Sequence, residues 1–176
     1  MGFAISLRSD HPSARAVRSL WNRVERFEAR PSMASLGYPP HITFAIYDDA
    51  AIGEPEVRSA LKQAGRKLGV VPLTFDAIRF FETSPMVLWA APQPSPALQA
   101  IHHAIHSSID PLRCRPYYRP GAWTPHCTLG TSVRDDRREE ARSFARGFQD
   151  SLTVYFDSLE LMSFSPLTSV DRLKLL

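Results

Sequence analysis

The chain has 176 residues, of which 44% are apolar and 22% are charged, a composition typical of one soluble domain that buries about two-thirds of its unfolded surface. Its net charge of +3 permits an anionic ligand but is too small to identify a nucleic-acid-binding protein. The apolar run Met86–Ala91 is far shorter than the roughly 20 residues of a membrane span, and the two cysteines are too few for a disulfide framework. We therefore expect a cytoplasmic protein without a membrane segment.

The first half of the chain shows alternating strand and helix patterns. In chain order, the predicted elements are a strand at Phe3–Leu7, a helix from Asp10 to about Ala29, a strand at His41–Tyr47, a helix from Pro55 that stops at Gly69, and strands at Val71–Phe81 and Met86–Ala91. The first helix has an apolar stripe, and its arginines are expected to face water. These arginines are Arg15, Arg18, Arg23 and Arg26.

The second half repeats this order after the proline-rich junction Pro92–Pro96. The predicted elements are a helix capped by Ser95 with Leu98, Ile101, Ile105 and Ile109 inward, a strand at Thr124–Val133, a helix behind a capping box at Asp136–Glu139, and strands at Leu152–Phe164 and Arg172–Leu176.

Three short sequences recur in the same order in the two halves. Pro40–Phe44 recurs as Pro125–Leu129 at an offset of 85, and at an offset of 81 Phe75–Ile78 recurs as Phe156–Leu159 and Ser84-Pro85 as Ser165-Pro166. The pattern predicts a single domain over residues 1–176, built from repeat units at about 1–91 and 92–176. We expect an α+β fold of two lobes related by a pseudo-two-fold axis, with two small antiparallel sheets facing a central cleft and helices outside.

The repeated segments Pro40–Phe44 and Pro125–Leu129 contain the residues best suited to catalysis. Two motifs lie in predicted strands. The first motif is His41-Ile42-Thr43 and the second motif is His126-Cys127-Thr128. Because alternate strand residues share a face, the histidine and threonine of each motif should point to the cleft while their apolar neighbours point inward. Two imidazoles can act as acid and base on a phosphoester near neutral pH, and the threonine hydroxyls can hydrogen-bond its non-bridging oxygens.

The two motifs resemble those of the two-histidine (2H) phosphoesterase superfamily, which includes 2′,5′-RNA ligases and RNA 2′,3′-cyclic phosphodiesterases. The resemblance implies hydrolysis or transesterification of a 2′,3′-cyclic phosphate or a 2′-5′ phosphodiester end of RNA or a nucleotide, without metal or other cofactor. It implies that His41 and His126 are the acid and base; Thr43 and Thr128 are expected to contact the phosphate. Which histidine is the acid stays open. We expect a monomer with no obligate protein partner.

Residues flanking the motifs are candidates for substrate binding. The loop before the second motif offers guanidinium groups for phosphate and aromatic faces for a base, a combination used on single-stranded nucleic acid. Its candidates are Tyr118, Arg119 and Trp123, and Tyr38 is the corresponding candidate before the first motif.

Other interpretations remain at this point. The same cleft would serve a non-catalytic module that binds an RNA end or a nucleotide. His102, His103 and His106 lie on one predicted helix, but that helix has no carboxylate to complete a metal site, so metal-dependent hydrolysis is the weaker alternative. Asp76 and Asp157 could orient a histidine or serve only in turns.

Overall fold

The computed structural model describes residues 2–164 and 166–176, and along them strands and helices alternate. Ser165, part of the predicted Ser-Pro repeat, lies outside the described residues. The strands are β1 (Gly2–Arg8), β2 (His41–Asp48), β3 (Val71–Phe81), β4 (Met86–Pro92), β5 (Cys127–Val133), β6 (Leu152–Phe156), β7 (Ser158–Phe164) and β8 (Thr168–Lys174). The helices are α1 (Arg15–Val24), α2 (Ser32–Ser35), α3 (Glu54–Ala64), α4 (Pro96–Ser108) and α5 (Arg138–Arg146). This mixture agrees with the predicted α+β class.

All these strands form one antiparallel sheet in the order β6-β3-β4-β5-β2-β1-β7-β8. The prediction of two separate facing sheets is wrong, because β2 and β5 pair with each other at the centre through Ile42 and Cys127. That ladder contains a single residue pair, whereas the other neighbouring strands pair over several residues. The sheet therefore consists of two four-stranded halves held together by a minimal central joint.

The helices cover the side of the sheet that carries the apolar residues of the motif strands. Helix α4 packs on β2 and α3 on β1 and β7, while α1 packs on β5 and α5 on β3. As predicted, the apolar residues that alternate with the motif histidines and threonines are fully or almost fully buried: Ile42, Phe44, Cys127 and Leu129. No helix in the described part of the chain has the length and apolar character needed to cross a membrane.

Helix α1 is shorter than predicted. It runs from Arg15 to Val24, with single 3₁₀ turns at Pro12–Ala14 and Glu25–Phe27. Asp10 does not cap the helix, because its carboxylate accepts two hydrogen bonds from Arg8, at 2.7 and 2.9 Å. The buried stripe and the exposed arginines are both as predicted.

The remaining helix boundaries differ from prediction for local reasons. Helix α3 ends at Ala64 instead of continuing to Gly69, and Gly65 follows it as the C-cap. Helix α5 has Arg137 at its N-cap without a side-chain hydrogen bond, so the predicted capping box is absent. Asp136 is instead engaged by Arg134 at 2.6 Å.

The predicted strand at Leu152–Phe164 is two strands, interrupted at Asp157. The backbone of Asp157 leaves the β-ladder, donating to the carbonyl of Arg8 at 3.1 Å and accepting from Leu175 at 2.9 Å. Its interruption lets β6 pair with β3 and β7 pair with β1, in opposite halves of the sheet. The last strand is β8, at Thr168–Lys174 rather than Arg172–Leu176.

Candidate active site at the central joint of the sheet

The two motifs meet at the single residue pair that joins the halves of the sheet. Ile42 is paired with Cys127 in antiparallel register, and this is the single pair of the ladder. Strand β5 begins at Cys127 and not at Thr124 as predicted, so His126 is the residue just before it. The same register extended by one position would place Thr43 across from His126 and His41 across from Thr128. Residues opposite each other in a sheet share a face, as do residues two apart on a strand. The register therefore directs all four motif side chains to the face opposite Ile42 and Cys127.

Each histidine ring is oriented by the carbonyl two residues before it. Nδ1 of His41 lies 2.9 Å from the oxygen of Pro39, and Nδ1 of His126 lies 2.7 Å from the oxygen of Thr124. A carbonyl only accepts hydrogen bonds, so Nδ1 carries the proton in each case and Nε2 is left with its lone pair when the ring is neutral. Both histidines consequently present the same nitrogen for proton transfer.

Aromatic side chains hold the histidine rings in place. The Tyr38 ring meets His41 edge-on with centroids 4.8 Å apart. His126 meets Phe81 edge-on at 5.2 Å and Trp89 at 5.8 Å. These contacts limit ring rotation, which complements the single hydrogen bond at Nδ1.

The environment of the two histidines favours their neutral forms. Burial lowers the pKa of His41 from 6.5 to about 4, with further lowering by the nearby charges of His126 and Arg8, against the raising effect of its hydrogen bond to Pro39. The pKa of His126 is also lowered, by burial, although its hydrogen bond to Thr124 raises it. The effect of His126 on His41 indicates that the two rings are close enough to interact electrostatically.

A tryptophan anchors the backbone of each motif. The indole N–H of Trp123 donates to the carbonyl of Thr43 at 2.9 Å, and the indole N–H of Trp21 donates to the carbonyl of Thr128 at 3.1 Å. The Thr43 hydroxyl also lies 3.0 Å from that of Ser6 on the adjacent strand. The two indoles thus satisfy threonine carbonyls beside the joint, where the β2–β5 ladder stops.

A cavity of about 420 Å³ opens beside the second motif. Both His126 and Thr128 line it, and its walls include Phe81, Tyr117 and Tyr118. Tyr117 is 84% exposed, so its ring is free to contact a ligand. A cavity with Phe81, Tyr117 and Tyr118 in its walls beside His126 and Thr128 suits a flat ring attached to a phosphate.

The four predicted substrate-binding residues lie in different environments. Tyr118 lines the cavity. Trp123 is half-buried; besides its bond to Thr43, its ring stacks on His102 with centroids 4.2 Å apart. The guanidinium of Arg119 donates to the carbonyls of Cys114 and Leu112, both at 2.8 Å, and so holds its own loop together.

Tyr38, the fourth candidate, belongs to a buried polar network behind His41. Its hydroxyl donates to Glu160 at 2.6 Å, and Glu160 also accepts from Arg8 at 2.7 Å and from Ser169 at 2.5 Å. Glu160 is completely buried, and burial raises the pKa of Tyr38 with a further contribution from this carboxylate. The sequence did not predict the network, because Arg8 and Glu160 are 152 residues apart in the chain.

The helix histidines lie behind the second-motif loop. His102 bonds to the carbonyl of Tyr118 through Nε2 at 2.8 Å, and its ring is 4.4 Å from that of His106. Among the described residues, no group of three or more His, Cys, Asp or Glu is arranged to hold a metal ion. Asp76 accepts from Gln93, and Asp157 accepts from the backbone of Asp10 and from Lys174.

Comparison with known proteins identifies the family of the chain and proteins of similar fold. The sequence model of the 2′-5′ RNA ligase superfamily matches residues 16–166. Escherichia coli LigT in its apo form has 19% sequence identity and a TM-score of 0.62, over 99% of this chain and 96% of that one. LigT complexed with 3′-AMP has 16% identity and a TM-score of 0.62 over the same shares. Usb1 of Kluyveromyces marxianus has 14% identity and a TM-score of 0.53 over 96% of both chains. No curated protein sequence matches the chain.

Proposed function

This chain belongs to the 2′-5′ RNA ligase superfamily, and on that premise we propose that it is a phosphoesterase acting on 2′,3′-cyclic phosphate or 2′-5′ phosphodiester ends of RNA or nucleotides. The observation that carries the proposal is the matched pair of histidines, each bonded through Nδ1 to a backbone carbonyl. Two imidazoles with Nε2 available, one at the start of β2 and one just before β5, provide both proton transfers of a phosphoester displacement. The 3′-AMP bound by LigT is a nucleotide of the kind such a reaction would involve.

In the proposed hydrolysis, His41 is the base and His126 is the acid. The stronger lowering of the pKa at His41, to about 4, keeps its Nε2 unprotonated over a wider pH range. Nε2 of His41 removes a proton from water as the water oxygen bonds to phosphorus. The bond from phosphorus to one ribose oxygen breaks, and that oxygen takes the proton from Nε2 of protonated His126. Exchange of one proton with solvent restores the starting state.

Thr43 and Thr128 are proposed to donate hydrogen bonds to the non-bridging oxygens as their negative charge increases. With a ribose hydroxyl in place of water as the attacking group, the same two proton transfers would form a 2′-5′ linkage. Chemistry at the two histidines is therefore compatible with hydrolysis or with ligation. Whether water or a ribose hydroxyl is the attacking group determines whether the reaction is hydrolysis or ligation.

The proposal is tested with 2′,3′-cyclic mononucleotides in the presence of EDTA. We expect hydrolysis, and replacement of His41 or His126 with asparagine should lower kcat by about 10²–10⁴-fold, the usual contribution of one general acid or base. His103→Asn, on the exposed face of α4, is the matched control and should retain activity. NMR of the product identifies which ribose oxygen keeps the phosphate.

Each alternative gives a different result. A non-catalytic binding module would bind the nucleotide with no turnover under any condition. A metal-dependent hydrolase would lose activity in EDTA and regain it with added divalent cation. Equal activity of the His41 and His126 variants and the parent would contradict the proposed mechanism.

A further inference from the structure

A second concave surface lies on the His41 side of the joint, and the catalytic proposal does not use it. This groove, here called the α1 groove, has a volume of about 460 Å³ and runs between α1 and the segment before β2. Arg18 and Asn22 line it from α1, Gly37 and Tyr38 line it from the opposite side, and Arg8 and Asp10 also contribute. It is separate from the cavity beside His126, whose lining residues are all different.

The groove is connected to the first motif through its wall. Pro39 lines the groove, and its carbonyl accepts the Nδ1 hydrogen bond of His41 at 2.9 Å. Arg8 also lines it and is the register partner of His41 on the adjacent strand. Arg8 and Pro39 are therefore neighbours of His41 and at the same time lining residues of the groove, so the groove begins beside the first motif.

The charge of the groove is positive and partly uncompensated. Helix α1 has the sequence RAVRSLWNRV, with three arginines and no acidic residue. Arg18 is exposed and forms no ion pair with any residue in the described part of the chain, and Arg15 on the same helix face bonds only to the carbonyl of Pro12, at 3.2 Å. The acidic residue in the groove, Asp10, is already paired with Arg8 at 2.7 Å.

The groove offers charge and hydrogen-bond donors but little aromatic surface. Trp21 and Tyr38 are only 6% and 8% exposed, so neither ring is open for a base to stack on. Arg18 and Asn22 are exposed and can donate hydrogen bonds to phosphate or ribose oxygens. Such a surface follows a nucleic acid backbone without reading its bases.

We propose that the α1 groove binds the phosphodiester backbone of a single-stranded RNA whose terminal phosphate lies between the two motifs. The inference rests on the proposed function and extends it, because it makes an oligonucleotide, rather than a mononucleotide, the preferred substrate. Arg18 in the groove, together with Arg15 one turn earlier on the exposed face of α1, neutralises the phosphate preceding the reacting end. This electrostatic contact is sensitive to salt and insensitive to base sequence.

The first test compares a 2′,3′-cyclic mononucleotide with a five-nucleotide RNA that ends in a 2′,3′-cyclic phosphate. In the parent protein, kcat/KM is expected to be at least tenfold higher for the RNA at low salt. The double variant Arg15→Ala/Arg18→Ala should reduce the ratio of the two kcat/KM values by about five- to tenfold. Arg66→Ala removes an exposed arginine just beyond α3 and is the matched control; it should keep the parent ratio.

The second test measures binding without turnover. The probe is a fluorescent five-nucleotide RNA that ends in a 2′-deoxy-3′-phosphate, and fluorescence anisotropy gives its Kd between 50 and 200 mM salt. The salt slope is expected to fall by about 0.7 for each phosphate contact that the double variant loses. A slope that falls equally in Arg66→Ala would show a general effect of net charge and overturn the inference.

The two proposals fail in different ways. Hydrolysis of the mononucleotide with no preference for the RNA, and with no effect of the double variant, would overturn the groove and leave the phosphoesterase standing. Absence of hydrolysis on both substrates would overturn the phosphoesterase, while the binding assay would still decide whether the groove holds RNA. Binding of an acidic peptide in preference to the RNA would assign the groove to a protein partner and overturn the inference.

Discussion

At the residue scale, the two motif histidines share one backbone contact and differ in their surroundings. The carbonyl at the position two residues earlier holds Nδ1 in both. His41 has the buried Arg8–Glu160 pair behind it, whereas His126 borders an open cavity. Burial is the largest cause of the lowered pKa at each ring, and the lowering is large at His41, to about 4.

These shifts predict a pH optimum on the acid side of neutrality. The reactive form needs His41 unprotonated, with a pKa of about 4, and His126 protonated, with a pKa below 6.5. The value of kcat/KM should rise as the pH increases through the pKa of His41 and fall as it passes that of His126, with a maximum between pH 4 and 6.5. Steady-state kinetics with a cyclic mononucleotide measures the profile. A maximum above pH 7.5 would contradict the lowered pKa values of the two histidines.

At the element scale, the tryptophans position the ends of the motif strands. Trp21 comes from α1 and Trp123 from the loop before β5, yet each donates to the corresponding threonine carbonyl. The β2–β5 ladder has a single pair, so strand pairing alone holds these backbones weakly. The indole N–H groups donate to these carbonyls beside the point where the β2–β5 ladder ends.

Removing one indole N–H should therefore weaken both stability and activity. Trp21→Phe leaves the carbonyl of Thr128 without this donor, and we expect a loss of about 1–2 kcal/mol in the free energy of unfolding and about tenfold in kcat/KM. Urea denaturation and steady-state kinetics measure the two effects.

Trp89→Phe is the matched control for stability. Its buried Nε1 has no hydrogen-bond partner among residues 2–164 and 166–176, so the substitution removes an N–H that contributes no bond. Equal destabilisation by the two substitutions would show that ring packing, and not the hydrogen bond, accounts for the effect of Trp21.

At the scale of the whole molecule, the buried Glu160 links three strands and the segment before β2. It lies on β7 and accepts from Arg8 on β1, Ser169 on β8 and Tyr38. Arg8 is 12% exposed in its side chain and Glu160 is fully buried, so their attraction is little screened by water. Two members of this network, Arg8 and Tyr38, also line the α1 groove.

Loss of this charge should destabilise the entire domain. Glu160→Gln leaves Arg8 partly unpaired, and we expect the free energy of unfolding to fall by roughly 3 kcal/mol, as for other broken buried ion pairs. Glu140→Gln on α5 breaks only an exposed pair with Arg137 and should change stability by less than about 1 kcal/mol. Urea denaturation compares the two variants; similar losses in both would contradict the role assigned to Glu160.

Local pattern in the sequence was sufficient for much of the fold. Strand alternation predicted the burial of Ile42, Phe44, Cys127 and Leu129, and helical spacing predicted the buried stripe of α1. These features depend on residues close together in the chain, whose periodicity reflects a single buried face. The same alternation predicted that each histidine and threonine of a motif share a face.

Tertiary structure decided which distant groups meet. Several features depend on segments that are far apart in the sequence. They are the order of strands in one continuous sheet, the interruption at Asp157, the hydrogen bond from Trp123 to Thr43 and the pairing of Arg8 with Glu160. No local periodicity carries that information, because hydrogen-bond partners and burial depend on how the whole chain packs. For the same reason, the lowered pKa of His41 follows from the folded surroundings of the ring and not from its neighbours in the sequence.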